Sequence, residues 1–296
     1  MTLETIGFVG VGLMGHGMAK NLLAKGYSVT VIANRNRGPV EDLLALGATE
    51  AASLADLAAK ATVIHLCLPG SPQVEAVVAE LIPAMQPDSV IVDCSTSDPT
   101  STEALAARLE AAGFHMADAP LGGTPVQAEA GELATMVGAS DAIYARLTPV
   151  ISAWAKAMVH LGPCGAGHKM KLLNNFLSLG YAAMYSEALA LSEKVGITTQ
   201  QFDSVIRGSR MDCGFYQTFM GYAVEGNREA HKFTLTNAFK DLRYLESMAN
   251  GAGIANPVGN AVKNSFAMAH ATGGDGPEDY VPHLVDFVAK RNGLKN

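Results

Sequence analysis

Short, almost continuous apolar runs alternate with segments of helical period through the first half of the chain, and after Gly167 only the helical period persists. The runs at 5–9, 28–33 (SVTVIA), 61–69 (ATVIHLCLP), 89–96 (SVIVDCST), 114–120 (FHMADAP), 133–139 (LATMVGA) and 158–162 (MVHLG) predict strands. Strands buried on both faces need no polar alternation, so their continuity is the signal. Alanine-rich helical stretches between several of them make the early strands parallel, the pattern of a doubly wound sheet. The second half predicts a helix over 168–196 of about 40 Å, at 1.5 Å per residue, closed by Gly196. Further helices are predicted at TQQFDSVIRG, with Thr198 and Gln201 as a capping box, at LTNAFKDLRYLESMANG, at NPVGNAVKNSFAMAHATGG, with Asn256 as cap and Pro257 in the first turn, and through YVPHLVDFVAKRNG.

The first strand breaks into glycines where a core is forming. Gly10, Gly12 and Gly15 make GxGxxG between that strand and the helical stretch HGMAKNLLAKG. Gly10 permits a sharp turn, Gly12 leaves room for a pyrophosphate against the backbone, and Gly15 lets the helix approach the strand. Free N–H groups and the positive end of the helix then face the phosphates. The strand before, the helix after and the second strand favour dinucleotide binding over a merely flexible glycine loop. The expected architecture is α/β: an N-terminal Rossmann doubly wound sheet at 1–164, followed by an all-α domain at 165–296, the two joined by a long interdomain helix. Besides the glycines, Leu13 and Met14 of the same loop are expected beside the cofactor.

At the end of the second strand, where an NAD site usually offers a carboxylate, the chain has Asn34-Arg35-Asn36-Arg37. Two guanidiniums suit the 2′-phosphate of NADP, so NADP is the expected cofactor, with NAD possible. The plain alternative is a solvated basic turn, with Glu41 and Asp42 as the nearest acids. Leu68 and Pro69, with Gly70, end one strand where the backbone can pass the cofactor. Ser95 and Thr96 bring hydroxyls to the end of the next, for which the alternative is capping of the helix after Pro99.

Composition narrows the partners. The 296 residues are 49% hydrophobic, enough for a large core, and no apolar run is long enough for a membrane span. The net charge of −7 is spread without long runs, which argues against nucleic acid. The N-terminus shows neither a basic region nor a cleavage site, so the chain is expected in the cytosol. Cys67, Cys94, Cys164 and Cys213 form no CxxC pair and read as reduced core thiols. His16 and His168 lack a second ligand at metal spacing; both read as cleft or surface residues, with no metal expected.

The start of the long helix carries the strongest chemical candidates. Lys171, Asn174 and Asn175 are spaced so that all three side chains can share one face of an otherwise apolar segment. A lysine in a cleft beside a positively charged nicotinamide has its pKa lowered by desolvation and like charge, which suits proton exchange with a substrate hydroxyl. Asn175 would fix the reacting oxygen. The alternative is a snorkelling lysine and an asparagine on a wet helix end.

Four blocks together resemble the β-hydroxyacid dehydrogenases, which include 3-hydroxyisobutyrate dehydrogenase and tartronate semialdehyde reductase. FVGVGLMGHGMAKNL is similar to that family's cofactor motif, and DCSTSDP with DAPLGGTPVQAEAGELATMVG to its substrate segment. GAGHKMKLLNN resembles its catalytic motif, and KDL at 240–242 its late cofactor contact. The resemblance implies that Lys171 is the proton donor or acceptor, that Asn175 orients substrate, and that Thr96 and Lys240 lie near the cofactor. It implies hydride transfer between NADP(H) and a small β-hydroxy acid or its semialdehyde, in a homodimer or homotetramer built largely by the helical domain. Where the family has Ser-Gly-Gly for the substrate carboxylate, this chain has Gly122-Gly123-Thr124. Backbone N–H groups at 122 and 123, helped by Thr124 or Gln127 and flanked by Ser95 and Asn174, are the expected substrate contacts. Competing readings are an imine reductase, against which Lys171 argues, and a non-catalytic NADP-binding sensor or scaffold. Arg210, Asp212, Phe215 and Tyr216 are expected between helices, either facing substrate or in ordinary loop packing.

Overall fold

Residue 4 to residue 294 are described in the computed structural model. Five of the apolar runs become β1 (Thr5–Val9), β2 (Ser28–Val31), β4 (Val63–Leu66), β5 (Val90–Asp93) and β6 (His115–Asp118), and the two-residue β3 (Thr49–Glu50), too short to show as a run, adds an edge strand. Between them lie α1 (Gly15–Ala24), α2 (Gly38–Ala45), α3 (Leu54–Lys60), α4 (Ser71–Leu81) and α5 (Pro99–Ala111). Among the described residues these strands form one parallel sheet in the order β3-β2-β1-β4-β5-β6.

Burial on both faces explains the missing alternation: Ile6, Phe8, Val63, Val90 and Val92 pack into one core, whereas Val9, Ile64, Leu66 and Ile91 pack into another. The order reverses beside β1, whose neighbours are β2 and β4, and a sheet of this kind takes its ligand beyond the carboxyl ends of its strands at such a point.

A smaller sheet follows, from β7 (Leu121–Gly122), β8 (Leu133–Val137) and β9 (Ala155–His160), with α6 (Pro125–Ala130) and α7 (Asp141–Ile151) between them. β9 begins before the expected run at 158, because Lys156 and the largely exposed course of Ala155–His160 hide its strand character from a continuity test. Two backbone hydrogen bonds join Asp118 and Gly138, tying β6 to the end of β8.

Helix α8 (Ala166–Lys194) is one uninterrupted element. It is followed by α9 (Thr199–Ile206), α10 (Gly214–Ala223), α11 (Leu235–Gly251), α12 (Pro257–Ala271) and α13 (Leu284–Arg291). Thr198 and Gln201 form the capping box, and Asn256 caps α12 at Gly259 N–H. The chain divides into two compact units, the first ending at Lys171 and the second starting at Leu172. The second unit packs around Tyr216, Phe219, Met220, Leu242, Leu245 and Phe266. No helix among the described residues is long and apolar enough to cross a membrane.

Two expectations for the second unit need correction. Phe215 and Tyr216 are not between helices but in the first turn of α10, where Tyr216 is fully buried and its hydroxyl donates to Asp203 Oδ1 at 3.0 Å. The glycine and aromatic residues of this short helix conceal its period. Cys213 is an exposed residue whose sulfur accepts from Tyr216 N–H as the α10 cap, so it is not a core thiol. All four cysteines are free.

Candidate functional site

The glycine loop has the steric logic its spacing implies. Gly10 has φ +96°, and a Cβ there would lie 2.2 Å from the Cys67 carbonyl oxygen on the strand end beside it. At Gly15 a Cβ would lie 2.1 Å from the Gly10 carbonyl oxygen, so only glycine lets α1 start this close to β1. Around Gly12 there is open space, with no atom within 4 Å of such a Cβ. Two glycines therefore close the turn while the third leaves its outer side clear, with Leu13 exposed and Met14 half-buried beside it. That clear backbone at a helix N-terminus fits a pyrophosphate. A fourth glycine, which the motif does not single out, packs α1 on α6: a Cβ at Gly17 would lie 2.5 Å from the Ala128 backbone. His16 is half-buried, with Nδ1 2.6 Å from Glu129 Oε1, and Lys20 reaches the same carboxylate at 2.9 Å.

Beyond β2, Asn34 and Arg35 are exposed, and Arg35 has no hydrogen bond or ion pair among the described residues. Arg37 does not stand beside it as a second open guanidinium. It is bound by Glu50 through two hydrogen bonds, at 3.1 and 3.0 Å. The sequence hides this because Glu50 comes alongside only through the pairing of β2 with β3, in which Val31 faces Glu50.

At the ends of β4 and β5, Ser95 is buried and its hydroxyl accepts from Leu68 N–H at 2.9 Å, tying the two strand-end loops together. Leu68 and Thr96 are half-buried and Pro69 is exposed. The cap of α5 is Asp98, which accepts from Thr100 N–H, so capping falls to neither Ser95 nor Thr96.

The start of α8 is anchored by a cluster that sequence reading missed. His168, expected in a cleft or at the surface, is fully buried. Its Nε2–H donates to the Ser95 carbonyl at 3.1 Å, and Nδ1 lies 2.8 Å from the Thr102 hydroxyl. Asp118, also fully buried, accepts from Gly165 N–H and His168 N–H, each at 2.6 Å. Burial pushes the Asp118 carboxyl up, against the pull of the nearby His168 and these two N–H groups. Asp93 accepts from Ser95 N–H at 2.9 Å and from the Ser97 hydroxyl at 2.8 Å. Gly138 and Gly167 make room for Asp118, since a Cβ on either would lie 2.2 or 2.8 Å from its oxygens. The signal was available as acids at the ends of two apolar strands, in DCSTSDP and DAPLGG.

Lys171 is half-buried at the end of this unit. One turn further along α8, in the second unit, Asn175 is buried and its Nδ2 donates to Asp241 Oδ2 at 2.7 Å. Asp241, from α11, is itself buried, and its other oxygen lies 3.2 Å from Lys240 Nζ, which sits 5.3 Å over the Tyr244 ring. The Asn175 amide thus has its orientation set: nitrogen to Asp241, and oxygen, among the described residues, with only a long 3.4 Å contact from Asn174 Nδ2. Asn174 is exposed, so the three candidates do not share one environment. Asp241 was missed as a site residue although KDL drew attention to its neighbour.

Gly122 lies in β7, and Gly123 takes φ +124°. Gln127 uses its side-chain oxygen to accept from Thr124 N–H at 2.8 Å, capping α6, so that oxygen is committed to the fold. Arg210 and Asp212 lie in the loop before α10, where Asp212 accepts from Gly208 N–H at 2.8 Å. No His, Cys, Asp or Glu group suited to hold a metal occurs among the described residues.

The glycine turn, parallel sheet and switch point define a nicotinamide-dinucleotide type of unit, and known proteins extend this. Residues 5–162 match the NAD binding domain of 6-phosphogluconate dehydrogenase, and residues 165–282 match the NAD-binding family of NADP-dependent 3-hydroxyisobutyrate dehydrogenase. The chain is 31% identical over 274 residues to the 3-sulfolactaldehyde reductase of Escherichia coli strain K12, covering 92% of each protein. The solved structure of Mycobacterium tuberculosis 3-hydroxyisobutyrate dehydrogenase with L-serine superimposes with a TM-score of 0.85 at 27% identity, over 96% of this chain and 99% of that one. An imine reductase from Pseudomonas sp. is more distant, at 19% identity and a TM-score of 0.62 over 97% and 99% of the chains, a likeness of fold alone. This protein belongs to the β-hydroxyacid dehydrogenase family of nicotinamide-dependent oxidoreductases.

Proposed function

We propose that the protein interconverts a small β-hydroxy acid and its semialdehyde with NADP(H), with Lys171 as the general acid/base. The observation that carries this reading is the pinned amide of Asn175, one helical turn from Lys171, with its nitrogen on buried Asp241 and its oxygen holding a 3.4 Å contact from Asn174 Nδ2. A half-buried lysine followed by an asparagine of set orientation suits a reaction in which a hydroxyl proton leaves as a carbonyl forms. The nicotinamide, when bound, supplies acceptance or return of the hydride.

Gly10, Gly12, Leu13, Met14 and Gly15 would hold the pyrophosphate, Asn34 and Arg35 the adenosine ribose and 2′-phosphate, and Leu68, Pro69, Thr96 and Lys240 the remainder of the cofactor. Lys171 takes the hydroxyl proton in oxidation and returns it in reduction. Asn175 offers its oxygen as an acceptor, which aligns a hydroxyl or the lysine ammonium. Gly122, Gly123 and Thr124 would receive the substrate carboxylate; the first two offer backbone N–H groups, which need no serine hydroxyl to bind an anion, and Ser95 and Asn174 are further proposed substrate contacts. That the Escherichia coli relative is a reductase of 3-sulfolactaldehyde supports a small anionic aldehyde as substrate.

The arrangement works as a domain at 1–164 for the dinucleotide and one at 165–296 for substrate and assembly. A homodimer or homotetramer is supported by an exposed apolar stripe on α8, where Leu177, Met184 and Leu191 are each more than half exposed. A cytosolic location is in keeping with four unbridged cysteines.

Lys171→Ala should lower kcat by about a hundredfold to ten-thousandfold, the usual range for a general acid or base, while leaving the NADPH Kd nearly unchanged. Nicotinamide absorbance against a panel of hydroxy acids, aldehydes and imines checks it. Turnover retained in the variant removes the role of Lys171, preference for imines makes the protein an imine reductase, and no turnover by the wild type leaves a sensor or scaffold.

A further inference from the structure

The turn after β2 holds two arginines in different situations, and the difference has a chemical consequence for cofactor choice. Arg35 is exposed, with no hydrogen bond or ion pair among the described residues. Arg37 spends Nη1 and Nη2 on the two oxygens of Glu50, at 3.1 and 3.0 Å, and Nε lies 3.5 Å from Glu41 Oε1. All three nitrogens of this guanidinium thus face carboxylates. Glu50 reaches it because β3 pairs in parallel with β2, placing Glu50 opposite Val31 at the carboxyl end where the ribose side of a dinucleotide belongs.

We infer that Glu50 is a specificity-determining residue for the nucleotide: by holding Arg37 it leaves Arg35 as the single open guanidinium at the turn and restrains the preference for a 2′-phosphate over a 2′-hydroxyl. This rests on the proposed role of Arg35 at the 2′-phosphate. A dianionic phosphate gains from a second guanidinium, whereas a ribose hydroxyl gains little from one, so the gain is withheld as long as Arg37 stays on Glu50. Glu50 therefore acts on NADP and hardly on NAD. Glu41, more exposed and farther from Arg37, has the smaller influence.

The test is isothermal titration calorimetry of NADP+ and NAD+, each as oxidised cofactor without substrate, on the wild-type chain and on Glu50→Gln, Arg37→Ala, Arg35→Ala and the Glu50→Gln/Arg37→Ala double variant. Glu50→Gln should tighten NADP+ by about three- to tenfold and change NAD+ by less than about twofold, the scale of one exposed charge. Arg37→Ala alone should shift the NADP+/NAD+ ratio less than about twofold, and the double variant should lose the gain. An unchanged ratio in Glu50→Gln, or a gain that survives in the double variant, overturns the inference. Arg35→Ala reports separately on the underlying reading: if it leaves the ratio unchanged, NADP recognition at this turn fails, whatever the Glu50 variant does.

Discussion

Two buried polar clusters sit on the same helix, one before Lys171 and one after it, and they use their polarity differently. Around His168, in the first unit, the ring meets the Thr102 hydroxyl and the Ser95 carbonyl at hydrogen-bond distance, Asp93 holds the Ser95 N–H and the Ser97 hydroxyl, and both Asp118 oxygens are spent on backbone N–H groups. Around Asn175, in the second unit, Asp241 takes the amide nitrogen while the amide oxygen keeps only a long contact. A cluster that closes on itself fixes backbone. One that leaves an acceptor with a single long contact fixes an orientation for something else to use.

The contrast can be broken at either end. The largest expected effect is on stability, from Asp118→Ala, which leaves two buried N–H groups without acceptors; about 3 kcal/mol or more should be lost, read by urea denaturation. A loss below about 1 kcal/mol would mean that the first cluster does not anchor α8.

A third kind of buried polar group sharpens the point. His65, fully buried in β4, stacks on Phe8 and has no hydrogen-bond partner at either ring nitrogen among the described residues. Burial alone pushes its pKa down from 6.5 to about 3. The native state therefore refuses a proton that the unfolded chain accepts below pH 6.5, so this group's contribution to stability is full above that value and falls as pH drops toward 3. His65 should make the fold about 2 kcal/mol less stable at pH 5 than above pH 7, and His65→Leu should flatten that part of the stability profile. An unaltered profile in the variant would show that water or a partner reaches the ring.

The smallest effect is expected at the second cluster. Asp241→Asn keeps the shape but removes the charge that sets the Asn175 amide, and should lower kcat by about tenfold with little change in the melting temperature. Equal losses in kcat and stability would mean that Asp241 is only a structural partner.

Much of this was legible along the chain for reasons that can be named. Parallel strands buried on both faces must be continuously apolar, so β1, β2, β4, β5 and β6 stand out, and a largely exposed strand such as β9 starts earlier than continuity suggests. The roles of Gly10 and Gly15 follow from local sterics, which a spacing of three glycines encodes directly. Lys171, Asn174 and Asn175 were visible as helical neighbours, but the burial that separates Asn174 from Asn175 depends on what packs against the helix.

Sequence alone therefore settled what short-range physics controls: strand and helix periods, caps at Thr198 and Asn256, the glycine turn, and the family to which these blocks belong. Tertiary structure decided what depends on partners distant in the chain. Glu50 meets Arg37 only because β3 lies on β2, His168 is buried only because Asp118 and Ser95 come from two strand ends, and Asn175 is oriented only because α11 brings Asp241 to it. Such contacts carry no periodic trace, since a hydrogen bond between residues far apart in the chain is selected by the shape of the fold and not by its local pattern.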